Sequence, residues 1–239
     1  MSGVRWGSTA SPFTPAFWKA QLWYAHNEDI YAYLDYRSGK SLHEELSACL
    51  LGGHGVTSEV AQAAFVALQS SGLLRPNAER DSNAFTSILK VPLTIPGKAR
   101  PALYRYPQMK ARYLAAALKR LDSETAPQDD RAFRDWLLSY TGVGWKTASW
   151  ITRNWLHSNA VAIIDIHVFR AGVIAGFFSG TESVIQRKYR DLELRFLEFA
   201  RGLGEEPRRL DVLLWRVMKD SHNMGRSYFQ QAPHLSRRA

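Results

Sequence analysis

Lys146 and Asp165 are the residues whose types and spacing most readily do chemistry. Lys146 follows the turn Gly142-Val143-Gly144, and Asp165 ends the apolar run Ala162-Ile163-Ile164. The turn reads as a tight hairpin between two helices, with Lys146 on the first turn of the second. Asp165 stands at the mouth of a further helix. They are 19 residues apart, room for about three helical turns, a short loop and a return. An amine and a carboxylate could therefore face one cleft, the layout of an amine nucleophile with an acidic partner. A free lysine titrates near ~10.4. It must lose its proton, through desolvation or cationic neighbours, before it attacks. The competing reading of Lys146 is a surface or phosphate-binding lysine. That of Asp165 is a helix N-cap, which is compatible with chemistry.

The elements around these residues read as helices. Apolar periodicity and end signals predict helices over 42–52, 58–71, 108–121, 130–140, 145–157, 168–178, 184–203 and 208–221. Pro92, Pro96, Pro101 and Pro107 forbid a long helix across 91–107. Residues 160–166 are apolar and β-rich, but seven residues cannot establish a sheet.

With 239 residues and 46% apolar composition, the chain can bury a real core and is not a disordered one. A net charge of +9 and a pI near 9.8 suit an anionic partner such as DNA. A generic basic cytosolic protein would share that balance. The lone Cys49 excludes an intramolecular disulfide and an all-cysteine metal site, and its apolar setting reads as core. No apolar run reaches the ~18 residues of a membrane span, and no leader peptide is visible. A cytoplasmic or nucleoid-associated monomer is expected.

The blocks Gly142-Val143-Gly144-Trp145-Lys146-Thr147 and Asp165-Ile166-His167-Val168-Phe169-Arg170 resemble the helix-hairpin-helix DNA glycosylases, in particular the 8-oxoguanine DNA glycosylases. Lys110-Ala111-Arg112-Tyr113 and Leu210-Asp211 through Trp215 extend the likeness, which runs from about residue 42 to 218. The likeness does not extend to the first forty residues. The resemblance implies an all-α fold with two helical lobes around a cleft. One lobe is expected over about 42–160, with the hairpin, and a second over 1–41 plus 161–239, as a single unit without a separate β-rich N-terminal domain. The four-cysteine iron–sulfur loop of endonuclease III cannot exist in a chain with one cysteine.

The same resemblance assigns roles. Gly142, Val143, Gly144 and Thr147 would hold a DNA phosphate at the start of a helix, where backbone N–H groups favour an anion; an ordinary helix–helix turn is the plainer reading. Lys146 would attack C1′ of the sugar and Asp165 would stabilise positive charge developing there. His167 would contact a phosphate, or be structural. Trp150 and Trp215 would sandwich an extruded base, or simply pack in the core. His54, between glycines, stands where the family carries an amide wedge that fills the hole left by the base; a plain glycine-rich turn reads equally well.

Asp211 bears on the substrate. An ionised carboxylate only accepts, and it matches the N1–H and N2–H₂ edge of guanine or 8-oxoguanine better than the edges of the other bases. A solvated helix carboxylate is the alternative. Gln21 is a candidate acceptor for the N7–H that distinguishes 8-oxoguanine. The expected activity is base excision from double-stranded DNA with abasic-site lyase cleavage, 8-oxoguanine being the favoured lesion. Another lesion or a hypermodified base of foreign DNA, and a non-catalytic DNA-binding module, are the alternatives. No metal or organic cofactor is required, although a monovalent cation at the hairpin carbonyls fits.

Overall fold

Short polar side chains in extended backbone set five of the helix starts. Ser41 accepts from the Glu44 amide, Thr57 from Val60, Asp81 from Asn83, Asp129 from Ala132, and Asp165 from both His167 and Val168. Each takes up an N–H that the first helical turn leaves without a partner. The computed structural model describes residues 4–27, 37–53 and 55–232. Eleven α-helices lie among them: α1 Pro15–Asn27, α2 Leu42–Leu51, α3 Ser58–Ser70, α4 Ser82–Lys90, α5 Pro107–Ser123, α6 Asp130–Leu138, α7 Trp145–Leu156, α8 Ile166–Ala175, α9 Tyr189–Leu203, α10 Pro207–Asp220 and α11 His222–Gln231. Pairing outside helices is confined, among the described residues, to isolated bridges between Gly53 and Val56 and between Leu93 and Ala102. The fold is all-α, and 160–166 forms no strand.

The chain divides into two compact units, Arg37–Trp155 and Met1–Tyr36 with Leu156–Ala239. In the first, α4 packs along α5, and α2 lies against both α3 and α5. Leu46, Leu50, Phe85, Leu89, Leu114 and Leu118 are fully buried there. In the second, α8 packs on α10 and α11, and α10 also meets α1 and α9. Phe177 stacks on Phe199 with ring centroids 4.0 Å apart, a contact favoured beyond its buried area alone. No helix among the described residues is long and apolar enough to cross a membrane.

Several boundaries differ from the sequence reading. The helix expected over 168–178 is α8, which starts two residues earlier and stops at Ala175. Gly176 there takes φ 86° and donates to Gly172 O and Val173 O, a left-handed closure that glycine adopts without strain. The helix expected from 184 begins at Tyr189, after a 3-10 turn over Glu182–Val184. The sequence pattern does not mark three of the helices. In α1 the apolar residues surround the helix instead of forming a stripe. α4 buries only Phe85 and Leu89, and α11 only Gly225.

Candidate active site

In the Arg37–Trp155 unit the hairpin is built by α6 running into α7. Phe133 and Leu137 bury one face of α6. Tyr140 N–H then donates to Leu137 O at 3.0 Å, and Val143 N–H to Tyr140 O at 3.1 Å. Val143 is buried and pins the turn to the core, whereas Gly142 and Gly144 are exposed. The two glycines have different duties. Gly142 takes φ 84°, and a methyl group there would collide with the Tyr113 ring on α5. Gly144 has ordinary backbone angles and open space around it, and its carbonyl accepts the first α7 bond, from Ala148 N–H at 2.9 Å.

Lys146 and Thr147, on the first turn of α7, are half-buried, as is Trp150. The Lys146 ammonium lies 5.9 Å from the Trp150 ring centroid, within reach of a cation–π interaction. The Trp150 ring borders Gly52, at the end of α2. Behind them Cys49 is buried, as expected of a core cysteine. Burial pushes its thiol well up; the Glu45 carboxylate adds to this, and the Arg153 and Lys146 cations oppose it. Glu45 is fully buried and accepts from Asn154 Nδ2 at 2.6 Å and Ser38 N–H at 2.6 Å. Burial raises its carboxyl, against those hydrogen bonds.

The turn after α2 contains Gly53 and Gly55, both in the left-handed region. His54 lies outside the described residues. Lys110, on α5, donates to Leu50 O at 2.5 Å and Gly52 O at 2.9 Å, and burial lowers its pKa. Tyr104 donates to Leu51 O at 2.6 Å. Both residues support the turn, and neither duty is visible in the sequence, although Lys110 falls on the inward face of α5.

The other unit holds Asp165. The segment before it is neither helix nor strand, with Val161, Ala162 and Ile164 fully buried. Three successive amides there find side chains instead of a strand partner. Ala162 N–H donates to Glu193 Oε1 at 3.0 Å, Ile163 N–H to Asp211 Oδ2 at 3.4 Å, and Ile164 N–H to the Tyr189 hydroxyl at 3.0 Å. That hydroxyl donates to Ala162 O at 2.9 Å. Asp165, buried at 7% exposure, accepts from His167 N–H at 2.8 Å and Val168 N–H at 2.9 Å. His167 is half-buried, its ring centroid 6.3 Å from that of His222.

Asp211 is not a solvated carboxylate: it is 2% exposed and already holds backbone. Trp215, one turn on, is half-buried, with Lys219 Nζ 4.7 Å from its ring centroid. Gln21 is half-buried on α1, which packs on α10. Asp165, His167, Asp211, Trp215 and Gln21 thus belong to one unit, and Gly142 to Gly144, Lys146, Thr147 and Trp150 to the other. The supporting pair Tyr189 and Glu193 does not stand out in the sequence. Its signal is a carboxylate set among the buried residues Tyr189, Leu192, Phe196 and Phe199 of α9. Among the described residues no cluster of three or more histidine, cysteine or acidic side chains is placed to hold a metal.

Residues 26–205 match a family model described as 8-oxoguanine DNA glycosylase. The 8-oxoguanine DNA glycosylase/AP lyase of Thermotoga maritima is 30% identical over 129 residues, covering 51% of this chain and 60% of that protein. The protein of the same name from Metallosphaera sedula is 31% identical over 117 residues, covering 47% and 57%. The chain thus spans under two thirds of the length of these curated relatives. Among solved structures, the 8-oxoguanine DNA glycosylase of Thermotoga maritima aligns with TM-score 0.61 at 21% identity, covering 86% of this chain and 97% of that one. The Methanocaldococcus jannaschii 8-oxoguanine glycosylase/lyase, solved with a 15mer DNA containing 8-oxoguanine, aligns with TM-score 0.66 at 20% identity, covering 85% and 98%. At these identities the structural likeness concerns the fold.

Proposed function

The chain belongs to the 8-oxoguanine DNA glycosylase family, and from that premise we propose that it excises 8-oxoguanine from duplex DNA and cleaves the resulting abasic strand. One observation carries this reading: Lys146 sits on the first turn of α7, directly behind the Gly142–Gly144 hairpin, inside the matched segment that also holds Asp165. The deprotonated amine attacks C1′, and the bond from C1′ to the base breaks with its electron pair leaving on the base. The base takes up a proton. Ring opening gives a Schiff base between Lys146 and C1′. Loss of a C2′ proton then expels the 3′ phosphate, and water hydrolyses the Schiff base to free the lysine.

Asp165 stabilises the positive charge that develops on the sugar. Its two backbone hydrogen bonds hold the carboxylate in place before the substrate arrives. The N-terminal turn of α7, with Gly144 open to approach, binds phosphate and sets register without reading sequence. Trp150 in one unit and Trp215 in the other each offer an indole face on which an extruded base stacks, and Asp211 offers an acceptor for an N1–H and N2–H₂ edge. No metal or organic cofactor takes part in this scheme. On this reading the enzyme works on the nucleoid as a monomer.

Borohydride trapping on a duplex with one 8-oxoguanine tests the scheme. A covalent adduct with wild type, absent from Lys146→Gln, is the expected result. Full base release by Lys146→Gln would remove the lysine from the mechanism. An adduct on an abasic site, with none on 8-oxoguanine, would keep the amine chemistry and overturn the choice of lesion.

A further inference from the structure

The positive charge of this chain is concentrated in one stretch. Residues 82–121 contain eight lysines and arginines and no aspartate or glutamate, against a net charge of +9 for all 239 residues. The centre of that stretch, between α4 and α5, folds as an arm. Leu93 and Ala102 exchange both backbone hydrogen bonds, at 2.8 and 2.9 Å. Gly97 turns the chain with φ 77°, and Lys98 N–H donates to Ile95 O at 3.1 Å. Lys98 and Arg100 stand exposed at the tip.

The arm is ordered from its base. Leu93, Ile95 and Tyr104 are buried, and Tyr104 bonds to Leu51 O at the end of α2. Arg105, next in sequence, is exposed; its guanidinium lies against Gly55 and 5.1 Å from the Tyr106 ring centroid. Leu103 beside it is 72% exposed. Neither Lys98 nor Arg100 makes a side-chain hydrogen bond or ion pair among the described residues. Like charges held together on a fixed element repel one another and weaken the fold unless an anion neutralises them. A hairpin that holds two cations outward, in a stretch without carboxylates, therefore fits a polyanionic partner better than any surface of this chain.

We propose that the 93–102 arm, with Arg105, is a second phosphate-binding element that grips the duplex backbone in addition to the Gly142–Gly144 hairpin. This rests on the DNA substrate proposed above. Such contacts release counterions, and each neutralised phosphate contributes about 0.9 to the slope of log K against log salt. The full chain and a Lys98→Ala/Arg100→Ala variant would be titrated with undamaged duplex, by fluorescence anisotropy, over a range of salt concentrations. The slope is expected to fall in magnitude by about 1.8. A Lys98→Gln/Arg100→Gln variant, which keeps side-chain bulk, gives the same fall. Removing two exposed cations of the other unit, with Arg187→Ala/Arg195→Ala, leaves the slope unchanged. An unchanged slope in the arm variants, or an equal fall in that control, would overturn the proposal. An arm-dependent slope in a wild type that releases no base supports the arm and overturns the enzyme reading, so the two failures are separable.

Discussion

The Tyr189 hydroxyl accepts from the amide of Ile164 at 3.0 Å, one residue ahead of Asp165. The same oxygen donates to Ala162 O, so one side chain from α9 spans the buried approach to the carboxylate. Tyr189→Phe would leave a buried donor and a buried acceptor without this partner, at a cost of about 1–3 kcal/mol. Chemical denaturation should show that loss. If the approach also fixes Asp165, single-turnover base release should slow by roughly tenfold, since small misplacements of a reacting group are costly, while duplex affinity stays as in wild type. Destabilisation with an unaltered rate would mean that the two capping bonds position Asp165 unaided.

Asp165 carries two duties that different substitutions separate. Asn keeps an oxygen that can accept from His167 and Val168, whereas Ala removes the cap. Asp165→Asn should therefore stay within about 0.5 kcal/mol of wild type, and Asp165→Ala should lose about 1–2 kcal/mol. Both should lose most base release, because neither supplies a negative charge near the sugar. Near-normal turnover by Asp165→Asn would reduce the residue to a helix cap.

The two hairpin glycines predict opposite phenotypes. Gly142→Ala puts a side chain at φ 84° and against Tyr113, so thermal melting should reveal a loss of about 1–3 kcal/mol. Gly144→Ala meets open space and should cost about 1 kcal/mol or less as a changed N-cap. Its methyl group nevertheless stands where a phosphate would approach. Duplex affinity should drop for Gly144→Ala, measured at a temperature where both variants are folded. Unaltered affinity there would argue that the hairpin serves only as a turn.

What was legible in the sequence was local. Asp165 as a cap, Gly142 and Gly144 as a turn and α5 as a long helix all follow from residues within a few positions of one another. The supports of the site were not legible, because their partners are remote. Ala162 meets Glu193 and Ile163 meets Asp211 across 31 and 48 residues, and Lys110 reaches back 60 residues to Leu50 O. A carboxylate on a helix reads as solvated unless the elements that bury it are known. That is why Asp211 and Glu193 showed nothing of their backbone contacts. The 160–166 run has the composition of a strand, yet side chains of α9 and α10 satisfy its amides, and no rule of local pattern foresees that.

Asp122 gives a pH signature of its own. It joins α5 to α2 and to the 71–81 connection: it accepts from His43 Nε2 at 2.8 Å, from Arg80 Nε at 2.8 Å and from Asn77 N–H at 2.9 Å. Burial alone would raise its carboxyl, but the hydrogen bonds from Arg80, Asn77 and His43 outweigh it and hold the group down, from 3.8 to about 2. The folded value lies below the unfolded one, so the unfolded chain binds more protons between them and stability declines on acidification. The contribution, about 2 kcal/mol, is fully present above roughly pH 5 and lost as the pH falls towards 2. Glu45 acts in the opposite sense, since burial raises its carboxyl and acid favours its folded form. Comparing wild type with Asp122→Asn cancels that term. Urea denaturation should find the variant about 2 kcal/mol less stable near pH 6, with the gap closing by about pH 2. A gap that stays constant with pH would show that Asp122 acts by shape and hydrogen bonding and not through its charge.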